Sequence, residues 1–517
     1  MIKRVSVLGA SLAALVLTAS GCGKGKGKEP GSTATSDGKP GAVAAGERGD
    51  ALFLAAAPAD VPELLDADLE AMGIKRFYIA AAKLGADGKI TPLPPPPPMK
   101  RSVIFTVMAD PGAANQLNAP NGDTVGNNWS RQLKPLLDEA KAWGSVVGVH
   151  IHILPTGAQA TTLAAALKTL RKSSGLPVSV TLPADVAPAL WKPLSGSADE
   201  ALVFSLGRRI ETGDRLVGEL TEASAKAFPI PFRLLVVLGG YGMAGKDGNF
   251  SGRRIPDGEI DTLSEDRGLD FDFAQVLSNE PGNNYKFKPR PGGDPRKSSL
   301  AADGGYAKFQ IVTFSDAVKH LSAAGRWIGA PLKGRAFLVD GLPKDGHLLG
   351  FAAVRAYLTA KPTDPKLLIE PGASTTGRGF TEFSLRVTNI APTPTDLSHF
   401  NNWIQIRVEG GAVVSVKPGD FDRFELLSST DERGKPAQTG KAVVARLFEN
   451  LFAAEETNSA GPFRVVGVKP KAFVAYKLSL ADGRTVEGPE SELQLAPPAP
   501  APKAKASGPV LKGRKKG

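Results

Sequence analysis

Two of the five histidines in this 517-residue chain, His150 and His152, stand in one apolar run, VGVHIHILP, from Val147 to Pro155. Side chains of a strand alternate sides, so both imidazoles face one way while Val149, Ile151 and Ile153 face the other. Such a pair can ligate a metal, hydrogen-bond a ligand in a pocket, or sit satisfied in a core. Structural and catalytic zinc sites take three or four protein ligands, and no other histidine stands in the two candidate strands that follow, Val178–Leu182 and Ala201–Leu206. Pocket-lining hydrogen bonding is the favoured reading, with no metal and no other cofactor expected.

The remaining groups with chemical reach are scattered. Asp110 and Asp340 each end an apolar run and form the best carboxylate pair for hydrolysing a glycosidic bond. That chemistry needs carboxyl groups about 5–5.5 Å apart to retain configuration or about 6.5–9.5 Å apart to invert it. Neither spacing is expected, because Asp110-Pro-Gly and Asp340-Gly are turn signatures that hold aspartate on its own backbone. Arg208 and Tyr241 are further pocket candidates; Arg209, Asp185 and Asp316 are weaker ones, the two aspartates fitting helix starts. No nucleophile elbow, phosphate-binding loop or calcium loop occurs.

These residues depend on a repeating scaffold. Candidate strands run over Phe77–Ala81, Val103–Ala109, Val146–Leu154, Val178–Leu182, Ala201–Leu206, Arg233–Leu238, Phe309–Phe314 and Ala336–Val339. Most are near-continuous apolar runs, as in strands covered on one side and packed on the other. Helical stripes fall between them. One is Trp129, Leu133, Leu136, Leu137 and Ala140, with Pro135 in its first turn or kinking it; another is Leu163, Leu167 and Leu170, opened by Thr156. Ser315 and Asp345 can cap two more. Eight strands with intervening helices imply a (β/α)8 TIM-like barrel over residues 50–366, with an open doubly wound sheet as the rival. The connection 239–307 is far longer than a barrel loop needs and reads as a lid or side wall. Residues 367–495 alternate with period two and read as a β-sandwich with Trp403 in its core. The fold class is therefore α/β plus all-β.

The termini carry most of the charge. Lys3 and Arg4 precede a short apolar segment, the pattern of a secretory signal over residues 1–21. Ala19-Ser-Gly-Cys22 resembles the bacterial lipoprotein cleavage motif, and Cys22 is the only cysteine. Acylation there implies a lipid-bilayer partner and a place in the cell envelope, with Gly23 resembling the outer-membrane sorting pattern. Residues 22–49 read as a flexible tether and 496–517 as a disordered basic tail. Of the net charge of +11, Lys3, Arg4 and six basic residues of the tail leave only +3 for the rest. A body so near neutrality does not suit a nucleic-acid partner.

The segments RFYIAAAKL, KRSVIFTV, VVGVHIHILPT, LPVSVTLPADVAPALW, DEALVFSLG and FPIPFRLLVVLGGYG, in that order, resemble a family of bacterial exported proteins known as a domain of unknown function with a glycosidase-like barrel. In that family the third strand typically ends in two carboxylates, at positions that fall on His152 and Leu154 here. The resemblance implies a glycosidase-like barrel, and this departure implies a non-catalytic one that binds carbohydrate or serves as a scaffold. The alternative is a glycoside hydrolase of envelope or environmental polysaccharide acting through Asp110 and Asp340.

Overall fold

The computed structural model describes residues 49–495 apart from 56–65, 207–219, 247–252, 274–282, 293–299, 340–347, 429–441, 481–482 and positions 97, 99, 100, 111, 144, 328 and 399. Within these limits, eight parallel strands close a barrel: β1 Asp50–Leu54, β2 Ile74–Leu84, β4 Val103–Ala109, β5 Val146–His152, β6 Val178–Pro183, β7 Glu200–Leu206, β8 Phe232–Val237 and β14 Leu332–Val339. Closure comes from β1, which pairs with β14 on one side and β2 on the other. A short β3, Ile90–Pro92, adds antiparallel to β2. Helices α1 Asp66–Ala71, α2 Gly122–Ala140, α3 Ala160–Ser174, α4 Glu222–Lys226, α6 Phe314–Ala324 and α7 Phe351–Leu358 occupy the connections.

The barrel of eight was expected, but one of its members was not. DALFL at residues 50–54 is the first barrel strand, and Phe309–Phe314 is no barrel strand at all. Its first part belongs to β13, Gly305–Val312, which pairs antiparallel with β9 Gly239–Lys246 and β12 Asn283–Pro289. A buried apolar run cannot by itself reveal the direction of its partner. The histidine strand is therefore the fourth, not the third. Pro135 lies deep inside α2, beyond the first turn. Thr156 caps a 3-10 turn with a reciprocal bond from Gln159, and that turn runs directly into α3.

Two glycines set how closely α3 packs on α2. A Cβ at Gly122 would lie 2.3 Å from the Thr162 carbonyl oxygen, and one at Gly126 would lie 2.6 Å from that of Ala166. Any side chain would force the helices apart. Around the barrel, Leu163, Leu167, Trp129 and Leu133 fill the layer between helices and strands.

The long connection after β8 is a second sheet, in strand order β10-β9-β13-β12-β11, built from β9 Gly239–Lys246, β10 Arg254–Pro256, β11 Leu269–Phe273, β12 Asn283–Pro289 and β13. Among the described residues it carries the α-helix α5, Glu259–Glu265. Its core face packs Ile260, Phe287 and Phe309 together with Leu397 and Leu451 from the C-terminal domain. Asp257, fully buried, fixes this sheet to the barrel's end by accepting from the amides of Gly240 (2.8 Å) and Leu348 (3.1 Å).

Among the described residues, the C-terminal domain is one seven-stranded antiparallel sheet: β15 Leu367–Gly377, β16 Phe380–Asn389, β17 Trp403–Val416, β18 Arg423–Leu427, β19 Val444–Phe448, β20 Thr457–Ser479 and β21 Thr485–Glu492. WIQIRV and AVVSV, although a Gly410-Gly411 turn signal stands between them, form one strand, and so do FRVVGV and FVAYKLSL. Register shifts near Gly411 interrupt the β17–β20 ladder, and both halves share a core that includes Phe383, Phe463, Ile404 and Leu447. Trp403 is not in that core. Ile404 and Ile406 take the inner positions, so Trp403 stands on the outer face, half-buried beneath Arg446.

Candidate functional site

The barrel interior is layered. At its closed end, where the strands begin, Glu200 meets Arg76 at 3.0 Å and Arg233 at 2.5 Å, all three side chains buried. Arg233 also donates to the carbonyl of Gly49. Gly334 permits this: at φ 154 its backbone lies so close that a Cβ would sit 2.1 Å from that same carbonyl oxygen. Above the triad, Ala51, Phe53, Tyr78, Leu202, Phe204 and Leu235 fill the centre. Burial pushes the Tyr78 phenol up, with the Glu200 carboxylate adding to the shift, so it stays neutral.

The two histidines rise through this packing as one hydrogen-bonded chain. His150 Nδ1 lies 3.0 Å from Ser179 Oγ, and its Nε2 lies 2.9 Å from Thr181 Oγ1, which in turn lies 2.9 Å from His152 Nδ1. A hydroxyl has one proton and two lone pairs, so Thr181 can donate to at most one of the two imidazoles and accept from the other or from both. His150 is fully buried; burial first, then the neighbouring His152, hold its pKa well below the ordinary value, so it is neutral. Phe53 packs edge-on against both rings, at 5.6 and 5.1 Å. The described partners of the imidazoles are thus hydroxyls and rings. His152 is the upper of the pair, 7% exposed at the end of β5. Ser179 and Thr181 escaped the sequence reading, although VSVTLP places two hydroxyls on one face of the next strand.

Asp110 follows the end of β4 at the open end of the barrel, exposed, and its carbonyl accepts from Ala113 to begin a turn. Asp185 is exposed after β6. Tyr241 belongs to the inserted sheet, where its backbone pairs with Gln310 and Pro256. Asp316 lies in α6. Asp340, Arg208, Arg209, Asp345 and Cys22 lie outside the described residues. The expected neighbourhood of Asp110 and Asp340 changes with the strand order. β4 and β14 are separated by both β2 and β1, three inter-strand steps of roughly 4.8 Å rather than two.

A second group of ionisable side chains went unnoticed in the sequence. Carboxylate oxygens of Asp261 and Glu265 on α5 and of Glu449 in the C-terminal domain all lie within 4.8 Å of one another. Burial, reinforced by Glu456, Glu265 and Asp422, pushes Asp261 up to about 8. Burial, reinforced by Asp422, Asp261 and Glu456, pushes Glu449 up to about 10. Glu265 and Glu456 are raised as well, burial again the largest cause. An oxygen-only set has the donor chemistry of a hard divalent cation; as it stands, protons hold the charge down. The residues are 188 positions apart at their extremes, which is why spacing could not reveal them.

No family model matches the chain, and no curated protein does. Among solved structures, the spore cortex-lytic enzyme SleL of Bacillus megaterium is similar at 13% identity, over 58% of this chain and 71% of that one, with a TM-score of 0.33. A chitinase from Bacteroides thetaiotaomicron is similar at 11% identity, over 58% and 94%, also with a TM-score of 0.33. The putative sporulation-specific glycosylase ydhD from Bacillus subtilis is similar at 12% identity, over 50% and 89%, with a TM-score of 0.29. The chain itself defines the class: a closed parallel barrel of eight strands, followed by a domain built on a seven-stranded antiparallel sheet.

Proposed function

We propose that this is an exported lipoprotein, anchored through acylated Cys22, that holds a polysaccharide at the open end of its barrel. The observation that carries the binding site is the inserted sheet. It leaves the barrel directly after β8, at the end where TIM barrels place their binding residues, and walls one side of that end. The solved structures named above, two described as glycan-cleaving enzymes and one as a lytic enzyme of the spore cortex, accord with a carbohydrate ligand. Binding without cleavage is the favoured form. The end of the histidine strand carries His152 and Leu154 rather than acids, and Glu200, the one carboxylate buried in the barrel among the described residues, is held between two arginines at the other end.

A hydrolase stands beside this reading on one observation: Asp110 is exposed at the catalytic end of a glycosidase-like barrel. Sedimentation with insoluble peptidoglycan, chitin and cellulose, followed by assay of released reducing ends, decides among them. Retention on one polymer with no release supports binding alone. Release that disappears in Asp110→Asn establishes the hydrolase, and folded protein retained on no polymer ends both. For the anchor, Cys22→Ser is expected to move the protein from the membrane to the soluble fraction or leave it unprocessed. A variant bound as tightly as the parent ends the lipoprotein reading.

A further inference from the structure

At the end of the C-terminal sheet where β15 turns into β16, three valines stand in water. Val468 is 86% exposed, Val414 52% and Val466 45%. Alternation explains why two of them look outward. Val413, Phe463 and Val465 point into the domain core, so Val414, Arg464 and Val466 take the opposite face. Register then gathers them. Val466 lies between Phe380 on β16 and Ala412 on β17, and Val414 occupies the register shift that follows Val413. The Phe380 ring, half-buried, lies under the Arg464 guanidinium at 4.4 Å. The Gly467 amide donates to the Gly379 carbonyl at 3.3 Å, which sets the β15–β16 turn beside the segment that carries Val468.

Cations rim this apolar centre. Arg378 in the turn, Lys417 just past β17 and Lys469 beside Val468 are all exposed, and none has a carboxylate partner among the described residues. The nearby acids are mostly engaged. Glu382 faces Arg464 at 3.6 Å, Glu409 pairs with Arg407, and Glu492 pairs with Lys471 at 3.4 Å. Asp420, which accepts from the Ser459 amide at 2.7 Å, offsets one of the three cations and leaves a positive excess.

Charge and size select the occupant. A contact with a second copy through this patch would set its cations against each other. A specific protein interface buries about 800 Å² on each partner, and three valines with part of one ring supply little of that. A lipid surface needs neither a matching shape nor a large area. An apolar tip enters the headgroup boundary, and basic residues beside it are drawn to anionic headgroups. We propose that this end of the C-terminal sheet rests on an anionic lipid bilayer, with Val414, Val466 and Val468 in the headgroup boundary and Arg378, Lys417 and Lys469 on the headgroups. The contact would orient the folded body on the membrane, which a flexible tether cannot do, and it stands or falls without acylation of Cys22.

Cys22 is the only cysteine, so the full chain with Cys22→Ser and Val468→Cys takes an environment-sensitive dye at one position. The comparison is Cys22→Ser with Leu190→Cys, a half-exposed site outside the C-terminal domain. Both chains keep the same termini, so any affinity of the termini for vesicles is common to the two. Vesicles are of equal parts phosphatidylglycerol and phosphatidylcholine, or of phosphatidylcholine alone. With the anionic vesicles, emission of the dye at 468 is expected to rise at least twofold, while the dye at 190 stays unchanged and neutral vesicles move neither. Arg378→Glu with Lys469→Glu is expected to reduce the rise by at least half, and added sodium chloride tests the same attraction should that variant fail to fold. No rise at 468 with anionic vesicles would overturn the proposal. So would an equal rise at 190 or in neutral vesicles, or a rise unmoved by charge reversal in a folded variant and by salt. A change at 468 that grows with protein concentration in the absence of vesicles would assign the patch to a second copy instead.

Discussion

Two regions of the molecule bury charge and neutralise it in two different ways. At the closed end of the barrel, Glu200 is held between Arg76 and Arg233, so each ion has a partner of opposite sign. At the junction of α5 with the C-terminal domain, Asp261, Glu265 and Glu449 converge with Asp422 and Glu456, and the balancing charge is a proton. The first arrangement sets each buried charge against its opposite. The second exists only while some of its acids stay protonated, and its stability is set by the solution.

Breaking the barrel pair is expected to have the largest effect. Glu200→Gln leaves two buried guanidinium groups without their counter-charge, and removing one partner of a buried pair costs about 3–5 kcal/mol. Urea unfolding monitored by far-ultraviolet circular dichroism measures this directly. A loss under about 1 kcal/mol would mean that the triad is hydrated and that the contrast with the junction is false. Replacing the whole triad with apolar residues of similar volume is a different experiment and need not destabilise at all.

The acidic junction predicts the next effect, and its sign is opposite to that of an ordinary salt-bridged carboxylate. Raised pKa values mean that the folded state binds more protons than the unfolded chain, whose carboxyls titrate near 4. The stabilisation is complete below that pH and is lost as pH climbs through about 8 for Asp261 and about 10 for Glu449. Melting temperature should therefore fall between pH 5 and pH 9. Asp261→Asn should flatten the decline and stabilise the protein at pH 9 by roughly 1–3 kcal/mol, since the amide keeps the shape without the charge. A melting temperature that stays level over this range, in parent and variant alike, would show that these acids ionise freely.

The two regions also differ in how far the sequence exposes them. Arg76, Glu200 and Arg233 each stand at the start of an apolar run, in KRFYIAAA, EALVFSL and FRLLVVL, and a charge at the mouth of a buried strand is a visible anomaly. What joins them is the closure of the barrel, which brings together positions far apart in the chain. The eight-strand count came out right although β1 was overlooked and β13 was included by mistake. DALFL is short and follows a polar tether, and QIVTF is as apolar as any parallel strand, so local pattern could not sort them. The histidine pair was legible as a pair facing one side, because that depends only on alternation. Its place on the fourth strand, and its partners Ser179 and Thr181, depended on counting strands correctly. The acidic junction was invisible because it joins an insertion to a separate domain.

A third way of covering charge, at the surface of the C-terminal domain, gives the smallest effect and the finest test of the comparison. Arg446 lies over the ring of Trp403 at 4.5 Å and donates to Gln405 Oε1 at 2.8 Å. Burial lowers its pKa, with Glu425 acting in the other direction. Beside it on the same sheet, Arg407 also lies over a ring, that of Phe473 at 4.5 Å, but unlike Arg446 it pairs in addition with Glu490, through bonds of 2.7 and 2.8 Å, and with Glu409. An exposed cation over a ring contributes about 0.5–1 kcal/mol, and an exposed ion pair about as much. Salt separates them, because added ions screen an attraction between opposite charges far more than one at close range between a cation and a ring quadrupole. A double-mutant cycle of Arg446→Met with Trp403→Leu should therefore give about 0.5–1 kcal/mol of coupling at low salt and nearly the same in 1 M sodium chloride. The cycle of Arg407→Met with Glu490→Gln should start near the same value and shrink. Equal losses in both cycles would place Arg446 among ordinary surface ions held by Glu425, and no coupling with Trp403 at either salt would leave the ring a neighbour without a role in holding the charge.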